Sequence, residues 1–319
     1  LAENGTTGVE LSIVVPIFNE QENIPLLFQK LEAAIAPITP DYEIVVVNDG
    51  SRDNSLGLLR QEAKRNSHIK VVSFSRNFGH QIAITAGMEF SKGDAVVIID
   101  ADLQDPPELL PQLIDEYEKG SDIVHTTRTS REGESAIKML ITRAAYRIIN
   151  FTSDIEFPKN SGIFKLLSRR AVNELLKLKE KDPYLRGLMT WVGFKQSQVY
   201  YKRERRFAGQ PHYPLLRSIN PARTFVLGIV SFSLMPLNVC LLLGFLTSFS
   251  AFLYLIAVVV MKFMDINLPG WSALMSAILF LGGMQLTTTG VLGLYIGRIY
   301  TEAKNRPLYV IESTLGFDT

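Results

Sequence analysis

The chain has 319 residues, with 33 Lys and Arg against 32 Asp and Glu and a formal net charge of +1. That balance excludes a bulk electrostatic case for nucleic-acid binding. A single cysteine, Cys240, excludes an internal disulfide framework and a cysteine metal cluster.

Residues 1–10 read as a flexible polar leader. Beyond them, apolar runs at residues 11–17, 42–47, 69–74, 95–99 and 122–126 alternate with helix-length amphipathic segments. The alternation predicts an α/β domain with a mainly parallel sheet and crossover helices. The first strand ends in Pro16-Ile-Phe18-Asn-Glu20 and the second in Asn48-Asp49-Gly-Ser51. One crossover between them makes these polar clusters adjacent walls of a crevice. Neither carries the glycine-rich dinucleotide pattern or a P-loop lysine. Asp49-Gly-Ser alone also suits a turn and helix cap, and Glu20 suits a first-turn acid.

The fourth run stops at Asp100-Ala-Asp102-Leu-Gln104-Asp-Pro-Pro107. This places two carboxylates at the carboxyl edge of the sheet, where open α/β sheets bind ligands. Residues two apart on an extended strand point to one side, so both can meet one hard cation. Magnesium and manganese take such oxygens and keep positions for phosphate or water. Arg128 follows the fifth strand, and Arg143 lies in a helical stretch over residues 134–150. His80 adjoins the crevice, while His68 and His125 read as structural.

Residues 224–261 contain no Asp, Glu, Lys, Arg or His, and neither do residues 271–297. A membrane span needs about 20 apolar residues. The second stretch fits one helix, and the first divides near Pro236. The expected organisation is therefore a catalytic domain over 11–210, a juxtamembrane amphipathic segment over 211–234, two spans within 235–297 and a tail over 298–319. Arg203, Arg205, Arg206, Arg217 and Arg223 precede the first span, and Arg298, Lys304 and Arg306 follow the second. The connecting loop offers only Lys262, so the catalytic domain and both termini are expected to be cytoplasmic.

Pro16-Ile-Phe-Asn-Glu20, Asn48-Asp-Gly-Ser51, Ser75-Arg-Asn-Phe-Gly79 and the Asp100–Pro107 run resemble, in order, the motifs of family 2 glycosyltransferases. Later segments resemble the polyisoprenyl-phosphate branch, which includes bactoprenol glucosyltransferases and dolichol-phosphate mannose synthase. They are Trp191-Val-Gly-Phe194, Arg203-Glu-Arg-Arg206-Phe-Ala-Gly209, Ser231-Phe-Ser233 with Pro236-Leu237, Gly297-Arg-Ile-Tyr-Thr-Glu302 and Arg306-Pro-Leu-Tyr309. The likeness extends over residues 11–312.

This resemblance implies a GT-A type fold and inverting transfer of a hexose from a nucleotide sugar to a polyisoprenyl phosphate. Glucose from UDP-glucose and undecaprenyl phosphate are preferred. Mannosyl or aminoarabinosyl transfer is an alternative, as is a non-catalytic nucleotide-binding scaffold or flippase partner. It further implies Mg²⁺ or Mn²⁺ held by Asp102 and Gln104, with Asp100 orienting ribose or metal. Pro16, Phe18, Glu20 and Asp49 match positions around the nucleoside. Arginine forks suit phosphate oxygens, and Arg203 and Arg206 match the family's Arg-x-x-Arg. With Arg128 and Arg143 they are candidates for the acceptor phosphate or the pyrophosphate. A homo-oligomer, a tetramer by resemblance, and a bacterial inner-membrane location are also implied. Two departures stand out: Gly162-Ile163-Phe164 replaces the Gly-Asp-Phe of many relatives, and His212 stands where lysine is frequent. With Ile163 there, no protein base is expected at that position, and Asp154 and Glu156 are the nearest acids.

Overall fold

The structure, a computed structural model, describes residues 10–129, 161–202, 235–264 and 270–317. All of β1 (Leu11–Ile17) is buried, and so is nearly all of β2 (Tyr42–Asn48), β3 (Ile69–Phe74) and β4 (Ala95–Ile98). Strands covered on both faces are mostly apolar, which is why these four read as near-continuous runs, and the polar exceptions Ser12, Glu43 and Lys70 satisfy one another by hydrogen bonds. They are joined by α1 (Ile24–Ile35), α2 (Ser55–Arg65) and α3 (His80–Phe90). A 3-10 turn at Pro107–Leu109 leads into α4 (Leu110–Glu118), followed by β5 (Ile123–Arg128). Then come β6 (Ser161–Ser168), α5 (Arg169–Lys177), α6 (Leu185–Trp191) and β7 (Gln196–Tyr201).

The eight-stranded sheet has the order β7-β5-β6-β4-β1-β2-β3-β8, where β8 is Ile311–Leu315. The four neighbours β4-β1-β2-β3 are parallel, as the alternation predicts. β5 does not join β4. Instead β6 lies between them, antiparallel to both, and β7 pairs parallel with β5. Apolar periodicity specifies that a strand exists but not its neighbour, so this insertion has no local signal.

Alternate residues of each strand supply the two faces of the sheet, which carry three core clusters among the described residues, the third joining Val47, Val72 and Phe74 to Ile82 of α3. Ile13, Val15 and Ile17 pack with Leu27, Phe28 and Leu31 of α1 and Leu113 of α4. Val14, Val96 and Ile98 pack with α3, α5 and α6 through Met88, Val172 and Leu188. Truncating a buried ring such as Phe28 to alanine should cost about 3–5 kcal/mol. Gly87 brings α3 close to β1, because a Cβ there would collide with Val14.

α7 (Met235–Phe263) and α8 (Trp271–Ala303) stand apart from these cores. Each is long and apolar enough to cross a membrane, over Met235–Met261 and Leu274–Ala303. Their large side chains face outward, with Leu241 74% and Leu286 76% exposed. Among the described residues, no neighbour lies within 4 Å of a Cβ built at Gly282, Gly283, Gly290 or Gly293, so these small residues do not mediate the contact between α7 and α8. The expected juxtamembrane segment, residues 211–234, lies outside the described residues.

α8 continues beyond Gly297, and its end is tied to the segment before α6. Arg298 pairs with Glu180 at 3.1 Å, and the Lys181 N–H donates to Glu302 Oε1 at 2.8 Å. The chain then returns to the sheet as β8, antiparallel to β3.

Candidate active site

Parallel strands in register deliver their carboxyl ends to one edge. Pro16 lies opposite Val47, Asn48 opposite Ser73 and Val14 opposite Ile98. The loops beginning at residues 18, 49, 75 and 99 therefore form one rim, the usual ligand-binding edge of an open α/β sheet.

The first two loops are laced together. The Asn19 N–H donates to Ser51 Oγ at 3.0 Å, and the Arg52 N–H donates back to Asn19 Oδ1 at 2.8 Å. Asn19 itself sits at φ 54°, a left-handed conformation that Asn tolerates. Glu20 is buried, its N–H donates to Ser55 Oγ at 3.0 Å, and its carboxylate accepts from the Asn23 side chain. That carboxylate thus supports the start of α1.

Asp49 is buried, and its two carboxylate oxygens accept the N–H groups of Phe78 at 2.6 Å and Gly79 at 3.0 Å. Burial nevertheless outweighs these bonds and raises its pKa. Gly50 has φ 65°, and a Cβ there would strike the Arg76 backbone, so this turn requires glycine on both counts. The loops over residues 48–51 and 75–79 are consequently one unit.

The paired carboxylates are placed differently from expectation. β4 ends at Ile98, so Asp100 and Asp102 lie on a turn and strand periodicity does not orient them. Leu103 does. It adopts φ 56°, unusual for a branched side chain, and is only 4% exposed within the core. Its burial leaves the part-exposed Asp102 and Gln104 flanking it at the rim, where the Gln104 N–H donates to Asp102 Oδ1 at 3.1 Å.

Asp100 Oδ1 lies 2.8 Å from His80 Nε2, the first residue of α3. Burial opposes ionisation of Asp100, but His80, then Arg186 and Arg128, outweigh it and lower its pKa. Burial likewise opposes charge on His80, yet Asp100 prevails and raises the pKa. Arg186, at the start of α6, acts electrostatically on both. α6 is docked there by the Leu185 N–H, which donates to Gln81 Oε1 at 2.7 Å. No motif marks Arg186 in the sequence. A charged residue opening a short helix is its only local sign.

Arg128 is the last residue of β5 rather than a residue beyond it. Its Nε donates to Tyr201 Oη at 3.1 Å, and Nη2 pairs with fully buried Asp105 at 3.5 Å. Tyr201 also donates to Asp105. Burial, then Asp105, pushes the Tyr201 phenol up to about 12. A Cβ at Gly162 would sit 3.1 Å from Arg128 Nη2, so glycine there leaves the guanidinium room. Beneath, buried Lys165 is drawn down to about 7 by burial and then by Arg186. Ile163 is buried in the core, which leaves no acid at that position.

Asp49, Asp100, Asp102, Gln104 and Arg128 thus share the rim with Pro16 and Phe18. Arg143, Arg203, Arg206, Asp154, Glu156 and His212 lie outside the described residues. Among the described residues, no three His, Cys, Asp or Glu side chains converge as a complete metal cage. Asp100, Asp102 and Gln104 offer only oxygen donors of the class Mg²⁺ and Mn²⁺ accept. An ion held there draws its other ligands from phosphate or water, as Mg²⁺ usually does.

Residues 12–176 match the family model described as Glycosyl transferase family 2. The chain is 43% identical to the uncharacterized glycosyltransferase YkcC of Bacillus subtilis (strain 168), covering 97% of this chain and 95% of that protein. It is 38% identical to the SfII prophage-derived bactoprenol glucosyl transferase of Shigella flexneri, covering 96% of this chain and 98% of that protein. Glucosyl-3-phosphoglycerate synthase from Mycobacterium tuberculosis is a structural neighbour at 22% identity and TM-score 0.45, covering 71% of this chain and 80% of that one. With half the chain in the family match and near-complete coverage of these relatives, the chain belongs to glycosyl transferase family 2 and is a GT-A-fold transferase.

Proposed function

We propose that this enzyme transfers a hexose, glucose from UDP-glucose for preference, to a polyisoprenyl phosphate such as undecaprenyl phosphate, with inversion at the anomeric carbon. The observation that carries this reading is the single rim bearing Asp49, Asp100, Asp102 and Arg128 at the carboxyl ends of β2, β4 and β5, strands of one sheet. The near-full-length likeness to bactoprenol glucosyl transferases supports the lipid acceptor and the choice of glucose.

In this reading the joined loops at residues 16–20, 48–51 and 75–79 receive the nucleoside. Asp102 and Gln104, with Asp100, hold Mg²⁺ or Mn²⁺, which when bound supplies Lewis-acid neutralisation of the departing diphosphate. Arg128 is held by Asp105 and Tyr201, so its remaining donors are pre-aimed at an anionic group. A phosphate oxygen of the acceptor attacks the anomeric carbon, and the electron pair of the breaking sugar–oxygen bond leaves with the diphosphate. A phosphate monoester is already ionised near neutrality, so the attack needs no protein base. Arg143, Arg203 and Arg206 serve the acceptor phosphate or the pyrophosphate. α7 and α8 anchor the enzyme in the bilayer as a homo-oligomer, with the catalytic domain and both termini cytoplasmic.

Purified protein should be offered a panel of nucleotide sugars with undecaprenyl phosphate, with and without EDTA. Metal-dependent transfer from UDP-glucose is expected. Transfer from another nucleotide sugar reassigns the donor, and transfer from none rejects the reading. For orientation, a cysteine at Asn267 in a Cys240→Ser background should label only from outside the cytoplasm, and one at Ser130 only from within. Reversed labelling overturns the topology.

A further inference from the structure

After α8 the chain returns to the catalytic sheet beside the rim. We propose that Tyr309, two residues before β8, is a positioning residue for the donor nucleotide, setting the loop over residues 75–79 that holds Asp49. This rests on the reading of that rim as the nucleoside site.

The geometry forms a continuous stack. The Tyr309 ring lies on buried Phe74, the last residue of β3, with centroids 4.8 Å apart and planes 19° from parallel. Phe78 meets Phe74 edge-on at 5.6 Å, and the Arg76 guanidinium lies 3.9 Å from the Phe78 ring centroid. Offset-stacked and edge-on rings are the favoured aromatic arrangements, so displacing one ring displaces the next. Phe78 is also the residue whose N–H donates to Asp49. The same tail holds the start of the loop and bonds to the far end of the helix that follows it. The Ser75 N–H donates to Val310 O at 3.0 Å, and the Tyr309 hydroxyl donates to Glu89 Oε2 at 2.6 Å on α3, the helix that begins after Gly79. A segment beyond both membrane-length helices therefore clamps the loop behind the rim, while Tyr309 itself stays behind it.

Two consequences follow. Loss of the ring should weaken nucleotide binding without changing use of the acceptor. By linkage, nucleotide binding should in turn strengthen docking of the tail. The test uses full-length protein in detergent and UDP with Mg²⁺, measured by titration calorimetry. Tyr309→Leu should raise the UDP Kd about tenfold and leave the acceptor KM at saturating donor unchanged. Tyr309→Phe keeps the ring and should stay within about threefold of wild type. Folded Tyr309→Leu protein with wild-type UDP affinity overturns the inference, as does an equal loss in Tyr309→Phe.

Hydrogen exchange on the wild-type protein gives a second measurement that needs no variant. Saturating UDP should slow exchange across residues 308–315, and an unchanged rate there overturns the inference even if Tyr309→Leu does not fold. Wild-type protein that binds no UDP rejects the donor reading itself, and the inference falls with it. UDP binding with unaltered tail exchange rejects the role of Tyr309 alone.

Discussion

On the β1–β3 side of the rim, Asp49 commits both oxygens to the backbone N–H groups of Phe78 and Gly79. On the β4–β7 side, Asp105 is closed in with the charged side chain of Arg128 and the phenol of Tyr201. The first arrangement holds a loop in shape and the second aims a charge. This division suits a site in which a nucleoside is held by shape while an anion is held by guanidinium groups. A buried carboxylate facing backbone can be lost for the cost of two unmet N–H groups. One facing a buried arginine leaves a bare charge.

The largest expected effect is at the rim between the two sides. Asp102→Asn should lower turnover by about three decades, or ~4 kcal/mol of barrier, in protein of unchanged melting temperature. Single-turnover transfer assays measure this, and full activity in the variant would remove Asp102 from the chemistry. The direct test of the comparison comes next. Asp105→Asn should destabilise the fold by about 3–5 kcal/mol by stranding Arg128. Asp49→Ala should cost about 1–3 kcal/mol while weakening nucleotide binding more than acceptor use. Denaturation in urea ranks the two, and equal costs would erase the proposed division.

His125 sharpens the same contrast through pH. Burial, then Lys165, holds its pKa down at about 4, and among the described residues its Nδ1 has no hydrogen-bond partner while Nε2 faces Gln196 Oε1 at 2.7 Å. The unfolded chain takes up a proton near pH 6.5 and the native protein does not until about pH 4. The unfolded state thus binds more protons in that window, and stability falls as the pH drops through it, by about 3 kcal/mol. His125→Asn should flatten this part of the stability profile, which urea midpoints at successive pH values would record. The smallest effect is at Arg186. Replacing it with methionine removes a cation facing Asp100 and His80, and should cut transfer about tenfold with little change in stability. An unchanged rate would reduce Arg186 to a surface charge.

Much of the architecture is legible locally. The apolar runs of β1 to β4 are near-continuous because both faces are covered, and the two long apolar stretches announce α7 and α8 without reference to anything else. Asp100, Asp102 and Gln104 stand out because they interrupt such a run. Their orientation does not, since it depends on Leu103 turning into the core at a positive φ. Arg128 was visible as a candidate, but the partners that aim it, Asp105 and Tyr201, are 96 residues apart.

The amino-acid sequence by itself determined β1 to β5, the membrane-length helices and the order of the motifs, because hydrophobic periodicity and backbone preference act over a few residues. Tertiary structure alone decided that β6 separates β4 from β5, that β8 closes the far edge, and that His80 and Arg186 meet Asp100. The Tyr309 to Glu89 bond spans 220 residues. Such pairings depend on which surfaces the folded sheet brings together, and no local pattern encodes them.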